Sequence, residues 1–309
     1  MIVDILFILA GLGLLVLGGD YLVRGSVALA LRLGIAPAII GLTVLAFGTS
    51  APELIVSIAA AIGGQPGIAL GNVVGSNIAN ILLILGATAI IAPVLSNDNE
   101  LKVSWGYAVA ASVLLILLCL TGSLAWWHGT ILLCGLTVTL TTQIRSARTG
   151  HGHTPELGHG PASPGQIIFW LVIGMTALPI GAQLLVNGAS SIARTFGISE
   201  TVIGLTLVAI GTSLPELSTS VASALRGQVD MALGNVIGSN LFNILAIMGI
   251  TAFFGPIPVP DEMLRFDLWF MLACTLIVGP FLFRHIPIGR LMGAALLAVY
   301  ATYTLWLLT

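Results

Sequence analysis

The sequence predicts an all-α integral membrane protein: ten transmembrane helices arranged as two inverted five-helix repeats, with broken helices at the midplane. Three observations carry that expectation. Of 309 residues, 57% are hydrophobic and only 7% charged, with a mean hydropathy of +1.10, against the roughly 25% charged residues of soluble domains. The apolar runs are helix-length, about 20 residues each, and lack the short alternating segments of an outer-membrane barrel. The chain also repeats itself at an offset of 163 residues.

Taken in order, the spans fall at about 2–19, 35–61, 67–92, 103–121, 126–144, 165–186, 198–225, 231–254, 265–283 and 287–308. The second, third, seventh and eighth are the long ones, each interrupted near its middle by Gly, Pro or a polar cluster. Residues 1–145 form the first five-helix repeat, 146–164 a cytoplasmic linker containing His, Gly and Pro, and 165–309 the second, inverted repeat. The first span has no basic residue ahead of it and carries Asp4 near its start, so it is expected to remain in the mature protein and not to act as a cleavable signal.

The ten Lys and Arg residues are expected in loops or at span ends. With the N-terminus outside, the inward loops hold Arg24, Arg32, Lys102, Arg145, Arg148, Arg226, Arg284 and Arg290, and the outward ones only Arg194 and Arg265. Basic excess in short loops marks the cytoplasmic side, so both termini are expected outside. A formal charge of −2 argues against a nucleic-acid partner. Cys119, Cys134 and Cys274 lie in apolar runs without CxxC spacing and read as small buried hydrophobes. His151, His153 and His159 lie in the linker without a Cys or acidic cluster to complete a metal set, and read as part of a solvated segment.

The repeat aligns Gly41–Gly86 with Gly204–Gly249 without a gap, and 28 of the 46 positions are identical. GLTVLAFGTSAPEL pairs with GLTLVAIGTSLPEL, and ALGNVVGSNIANIL with ALGNVIGSNLFNIL. Upstream, Gly18, Leu22, Val23, Gly25, Gly34 and Ile35 recur at the same offset. Five spans per unit is an odd number, so the second unit enters the bilayer from the opposite side. Inverted repeats with interrupted helices are a transporter signature.

The repeated motifs are rich in oxygen. Pro52 and Pro215 cannot donate to the carbonyls of Gly48 and Gly211, and neighbouring carbonyls around Ala46–Thr49 and Ala209–Thr212 are expected to loosen with them. The hydroxyls of Thr49, Ser50, Thr212 and Ser213 and the carboxylates of Glu53 and Glu216 complete two sets of hard donors, the kind that calcium takes six to eight at a time. Gly71 with Gly75, and Gly234 with Gly238, have the spacing that lets membrane helices approach closely. Ser76 with Asn80, and Ser239 with Asn243, share one helix face. A carboxylate at the centre of a membrane helix costs about 2.5–3.5 kcal/mol even on a lenient scale; a bound cation removes that cost and the repulsion between two of them. An intramembrane hydrolase around Ser50 or Ser213 would lack a mid-span histidine base.

The paired GTSxPE and GNVxGSN segments resemble the two alpha-repeats of the sodium/calcium exchanger family, within the calcium/cation antiporter superfamily, of prokaryotic type. The resemblance implies a secondary active antiporter exchanging sodium for calcium by alternating access, electrogenic and potassium-independent, in the plasma membrane of a prokaryote. A cation/proton antiporter on the same scaffold is the alternative, and a cation channel a more distant one. By motif position, Glu53 and Glu216 would be ligands shared by both ions. Thr49, Ser50, Thr212, Ser213, Ser76 and Ser239 would supply hydroxyl or backbone oxygens, the Ala46 and Ala209 carbonyls would complete sodium sites, and Asn80 and Asn243 would line the cavity. The potassium-dependent branch places an aspartate where this chain has Asn243. The resemblance implies no cofactor beyond the transported sodium and calcium ions, the lipid bilayer as surroundings, and no obligate protein partner.

Overall fold

The computed structural model describes residues 1–96, 98–149, 162–197 and 209–307. Its helices are α1 (Ile2–Leu33), α2 (Pro37–Thr49), α3 (Ala51–Ile62), α4 (Pro66–Ile91), α5 (Asn99–Cys119), α6 (Trp126–Thr149), α7 (Pro164–Thr195), α8 (Ala209–Thr212), α9 (Leu214–Leu225), α10 (Val229–Thr251), α11 (Met263–Arg284) and α12 (Arg290–Leu307). Among the described residues, seven single helices have the length and apolarity of a membrane crossing, and α2 with α3, bent by 43°, makes an eighth. α6 matches the fifth expected span in position. It is rich in threonines, whose hydroxyls donate to carbonyls one turn back within the helix, as Thr137 does to Leu133 at 2.9 Å, so polar side chains are satisfied without leaving the helix. The seventh expected span is described only from Ala209 onward, and His151, His153 and His159 lie outside the described residues.

α1 and α7 correct the expected boundaries. Each runs for 32 residues, about 48 Å at 1.5 Å per residue, well beyond the expected ends at 19 and 186. α1 continues through polar residues because Asp20 and Arg24 neutralise each other one turn apart, at 2.9 Å, and it stops at Gly34, whose φ of 66° only glycine adopts without strain. Arg24 is therefore inside a helix and not in a loop. Cys134 also departs from expectation: it is exposed on α6, while Cys119 and Cys274 are buried.

The inverted relation of the halves is visible in α1 and α7 themselves. Gly11, Gly18 and Gly25 recur as Gly174, Gly181 and Gly188 at the 163-residue offset. A Cβ on Gly11 would lie 2.7 Å from the Gly181 carbonyl, one on Gly25 would lie 2.9 Å from Leu171, and one on Gly188 would meet the Asp4 carbonyl at 2.5 Å. Residue numbers fall on one helix as they rise on the other, so equivalent helices pack antiparallel, backbone on backbone.

Two short ladders tie the halves at the two ends of α5. β1 (Ser123–Leu124) pairs antiparallel with β2 (Ile257–Pro258), Leu124 opposite Ile257, and Val94 bridges Ile288. Val94 and Ile257 are themselves repeat equivalents. The main apolar core runs through α4, α5, α10 and α11, with Leu70, Ile78, Leu85, Leu115, Leu233, Ile237, Ile244 and Met271 in contact. A second cluster, including Leu15, Leu22, Leu45, Leu178 and Met231, seats α1 and α7 against α2 and α10. Large apolar side chains such as Leu9, Val16, Ile55, Phe169 and Leu291 cover the outside, as lipid-facing helices require.

A candidate ion-binding centre

Both broken helices break at the same place. The chain leaves helical geometry at Ser50 (φ −82°, ψ 4°) and at Ser213 (φ −87°, ψ 3°), and the proline two residues later starts a fresh helix where its missing N–H costs nothing. Glu53 and Glu216 fall in the first turns of α3 and α9, where the partial positive charge of a helix N-terminus favours an anion. The Ala46 carbonyl is less free than expected. It accepts from the Ser50 N–H at 3.0 Å and from Thr49 Oγ1 at 3.3 Å, because the break comes after the hydrogen bond that closes on it.

Glu53 and Glu216 are each only 1% exposed. Ser50 Oγ donates to Glu216 Oε1 at 3.1 Å, a direct bond from the first half to the carboxylate of the second. Glu53 Oε1 and Oε2 and Glu216 Oε2 have no hydrogen-bond partner among the described residues, and the same holds for Ser213 Oγ, Ser239 Oγ, Asn80 Oδ1 and Asn243 Oδ1. Ser76, Asn80, Ser239 and Asn243 are all buried; Thr212 is half-buried. Ala209 opens α8, and its side chain lies outside what is described. Among the described residues no three His, Cys, Asp or Glu side chains gather into a metal cluster, so any cation here must take hydroxyl, amide and carbonyl oxygens alongside carboxylates.

Four asparagines absent from the expected set prove central. Asn72 Nδ2 donates to the Glu53 carbonyl at 3.1 Å and to Ser57 Oγ at 3.0 Å. Its equivalent, Asn235, donates to the Glu216 carbonyl at 3.4 Å and to Ser220 Oγ at 3.0 Å, and accepts from Thr49 Oγ1 at 3.4 Å. Each thus fastens the first turn of a glutamate-bearing helix to the helix that follows. Asn77 and Asn240, also equivalents, touch directly: Asn240 Nδ2 donates to the Asn77 carbonyl at 3.4 Å. All four sit inside the identical GNVxGSN segments, so the repeat itself was the signal. The glycines of those segments behave as expected in the second half, where a Cβ on Gly238 would lie 2.6 Å from the Leu42 carbonyl and one on Gly234 would lie 2.7 Å from that of Ala38. The segment equivalent to α2, residues 200–212, lies largely outside the described residues.

Helical backbone near these residues is wound loosely. π-helical turns occupy Gly41–Leu45, Asn80–Leu85 and Phe242–Ile247, a local geometry frequent at functional sites.

Comparison with known proteins agrees with this picture. The family described as sodium/calcium exchanger protein matches residues 3–145 and 166–309. The sodium/calcium exchanger MaX1 of Methanosarcina acetivorans is 34% identical, with 97% of each chain covered, and the inner membrane protein YrbG of Escherichia coli (strain K12) is 34% identical over 96% of this chain and 94% of its own. A solved structure of the sodium-calcium exchanger NCX_Mj, soaked with zero sodium and calcium, superposes with a TM-score of 0.87 at 33% identity over 99% of both chains. With the family model matching nearly the whole chain and near-complete coverage by a relative named as a sodium/calcium exchanger, the chain belongs to the sodium/calcium exchanger family of membrane cation antiporters.

Proposed function

We propose that this protein exchanges sodium for calcium by alternating access, at a site formed by both halves. The observation that carries the reading is the Ser50 to Glu216 hydrogen bond, which joins the halves at two buried carboxylates with three oxygens left unpaired among the described residues. Glu53 and Glu216 are the shared ligands. Oxygens of Thr49, Ser50, Ser76, Asn80, Thr212, Ser213, Ser239 and Asn243 and the carbonyls of Ala46 and Ala209 complete the set. The repeats are residues 1–145 and 165–309, joined by a cytoplasmic linker, in a prokaryotic plasma membrane with both termini outside.

Two ionised glutamates are neutralised by one calcium and left at +1 by three sodium ions, the stoichiometry that the family resemblance implies. The loaded states then differ by one charge, worth about 2.3 kcal/mol per 100 mV, and an inside-negative potential drives sodium in and calcium out. Asn243, in place of an acidic residue, supports potassium independence. In proteoliposomes, an outward sodium gradient should drive calcium-45 uptake without potassium, and a potassium-diffusion potential should change its rate. Uptake that follows a pH gradient and ignores sodium would overturn the reading in favour of proton coupling.

A further inference from the structure

A side-chain amide can serve a cation only with its oxygen, since its nitrogen carries two hydrogens and no lone pair to give. Something must therefore decide which end of Asn80 and Asn243 turns toward the site. Asn80 Nδ2 donates to Asn240 Oδ1 at 3.0 Å, and Asn243 Nδ2 donates to Asn77 Oδ1 at 3.1 Å. The two bonds are images of each other under the 163-residue repeat, and each crosses from one half to the other. With their nitrogens engaged, Asn80 Oδ1 and Asn243 Oδ1 are left without hydrogen-bond partners among the described residues.

The acceptors are held in turn. Asn240 Nδ2 reaches the Asn77 carbonyl at 3.4 Å, which leaves Asn240 Oδ1 turned toward Asn80. Asn77 Nδ2 lies 3.5 Å from Met271 Sδ, a weak acceptor, which leaves Asn77 Oδ1 for Asn243. All four side chains are at most 2% exposed, so water does not compete for these directions.

We propose that Asn77 and Asn240 are positioning residues, each fixing the amide of the opposite half's asparagine so that its oxygen faces the transported cation. Neither touches the cation. The consequence reaches residue 243: an aspartate there has no hydrogen to donate, so Asn77 must turn, present Nδ2 and give up Met271. Residue 77 thereby decides which side chain position 243 tolerates. The inference rests on the site proposed above, but needs only that a cation occupies it.

The test measures the half-saturating calcium concentration and the maximal rate of calcium-45 exchange in proteoliposomes, driven by whichever gradient, sodium or proton, the unmodified protein uses. A failure of sodium coupling is then seen in the unmodified protein and leaves the inference intact. Asn77→Leu and Asn240→Leu should raise the half-saturating calcium concentration about tenfold or more, as loss of a ligand-orienting partner does, with the maximal rate nearly retained. Asn77→Asp keeps an acceptor for Asn243 and should raise the half-saturating calcium concentration less than Asn77→Leu does. Combined with Asn243→Asp it sets two acceptors face to face, and the double variant should lose about tenfold more affinity than the two single effects predict. Unchanged affinity in the leucine variants, or strict additivity of Asn77→Asp with Asn243→Asp, would overturn the inference. Should the leucine variants not fold, the aspartate pair decides alone.

Discussion

Asn72 and Asn235 each donate to the carbonyl of a glutamate and to the serine four residues beyond it, yet Ser50 and Ser213, equally equivalent in sequence, behave differently. Ser50 donates to Glu216 at 3.1 Å, while Ser213 Oγ and both oxygens of Glu53 have no partner among the described residues. The same inequality recurs on α1. Asp20 there bonds Arg24 of its own helix and Arg226 at the end of α9, the latter through both Nε and Nη2. The equivalent positions are Gln183 and Gly63, and Gln183 donates to Asn187 of its own helix at 2.8 Å. The halves are thus alike in the bonds that build the helices and unlike in the bonds that face the site or the ends. A protein with inverted repeats treats its two ends alike if its halves adopt one conformation, so the unequal bonds are where the two ends are told apart.

Substitution of the two buried glutamates should have the greatest consequence. Glu53→Gln and Glu216→Gln should each lower calcium-45 exchange about 100-fold or more, since removing one partner of a buried charge set costs about 3–5 kcal/mol. Calcium should also cease to raise the melting temperature of either variant in detergent. Retained exchange in one of them would show that the two carboxylates are not partners.

The fastening asparagines come next, and here the halves should differ in degree. Asn235→Leu removes donations to the Glu216 carbonyl, Thr219 and Ser220 and the acceptor for Thr49, and should cost about 3 kcal/mol of stability; Asn72→Leu, with fewer partners among the described residues, should cost about 2. Thermal unfolding in detergent checks the order, and equal losses would argue against the unequal bonding. Ser50→Ala deletes a bond to a charged group and should weaken calcium affinity about tenfold, whereas Ser213→Ala should change it less than about twofold in the same conformation. Calcium-45 binding to detergent-solubilised protein reads both. Arg226→Ala has the smallest expected effect, under about 1 kcal/mol, because the ion pair to Asp20 is partly exposed; its signature is faster labelling of a cysteine placed beside Asp20.

Much of this was legible because the chain states its motif twice. Duplication at 163 residues identified the broken helices, the paired glutamates and their setting without any contact being known. The expected end of α1 at residue 19 stops at the first mid-helix charge, whereas the helix continues through the Asp20 and Arg24 pair into a further apolar stretch. Spacing could not single out Asn77 and Asn240. Their partners lie across the repeat, at separations of 160 and 166 residues, and an asparagine one residue from a recognised serine looks like helix glue until its donor and acceptor are followed. The Ala46 carbonyl is less free than the motif implies for a local reason: proline frees one acceptor, and the turn before it stays wound.

The two small ladders, Leu124 with Ile257 and Val94 with Ile288, have a consequence for how the chain holds together. Each is a main-chain clasp between a loop of one half and a loop of the other, set at opposite ends of α5. Severing the polypeptide between residues 149 and 162 would interrupt neither clasp, nor the glycine-lined seam of α1 and α7. Two separately synthesised halves would keep these attachments between them, and are expected to find each other and rebuild the pair of glutamates.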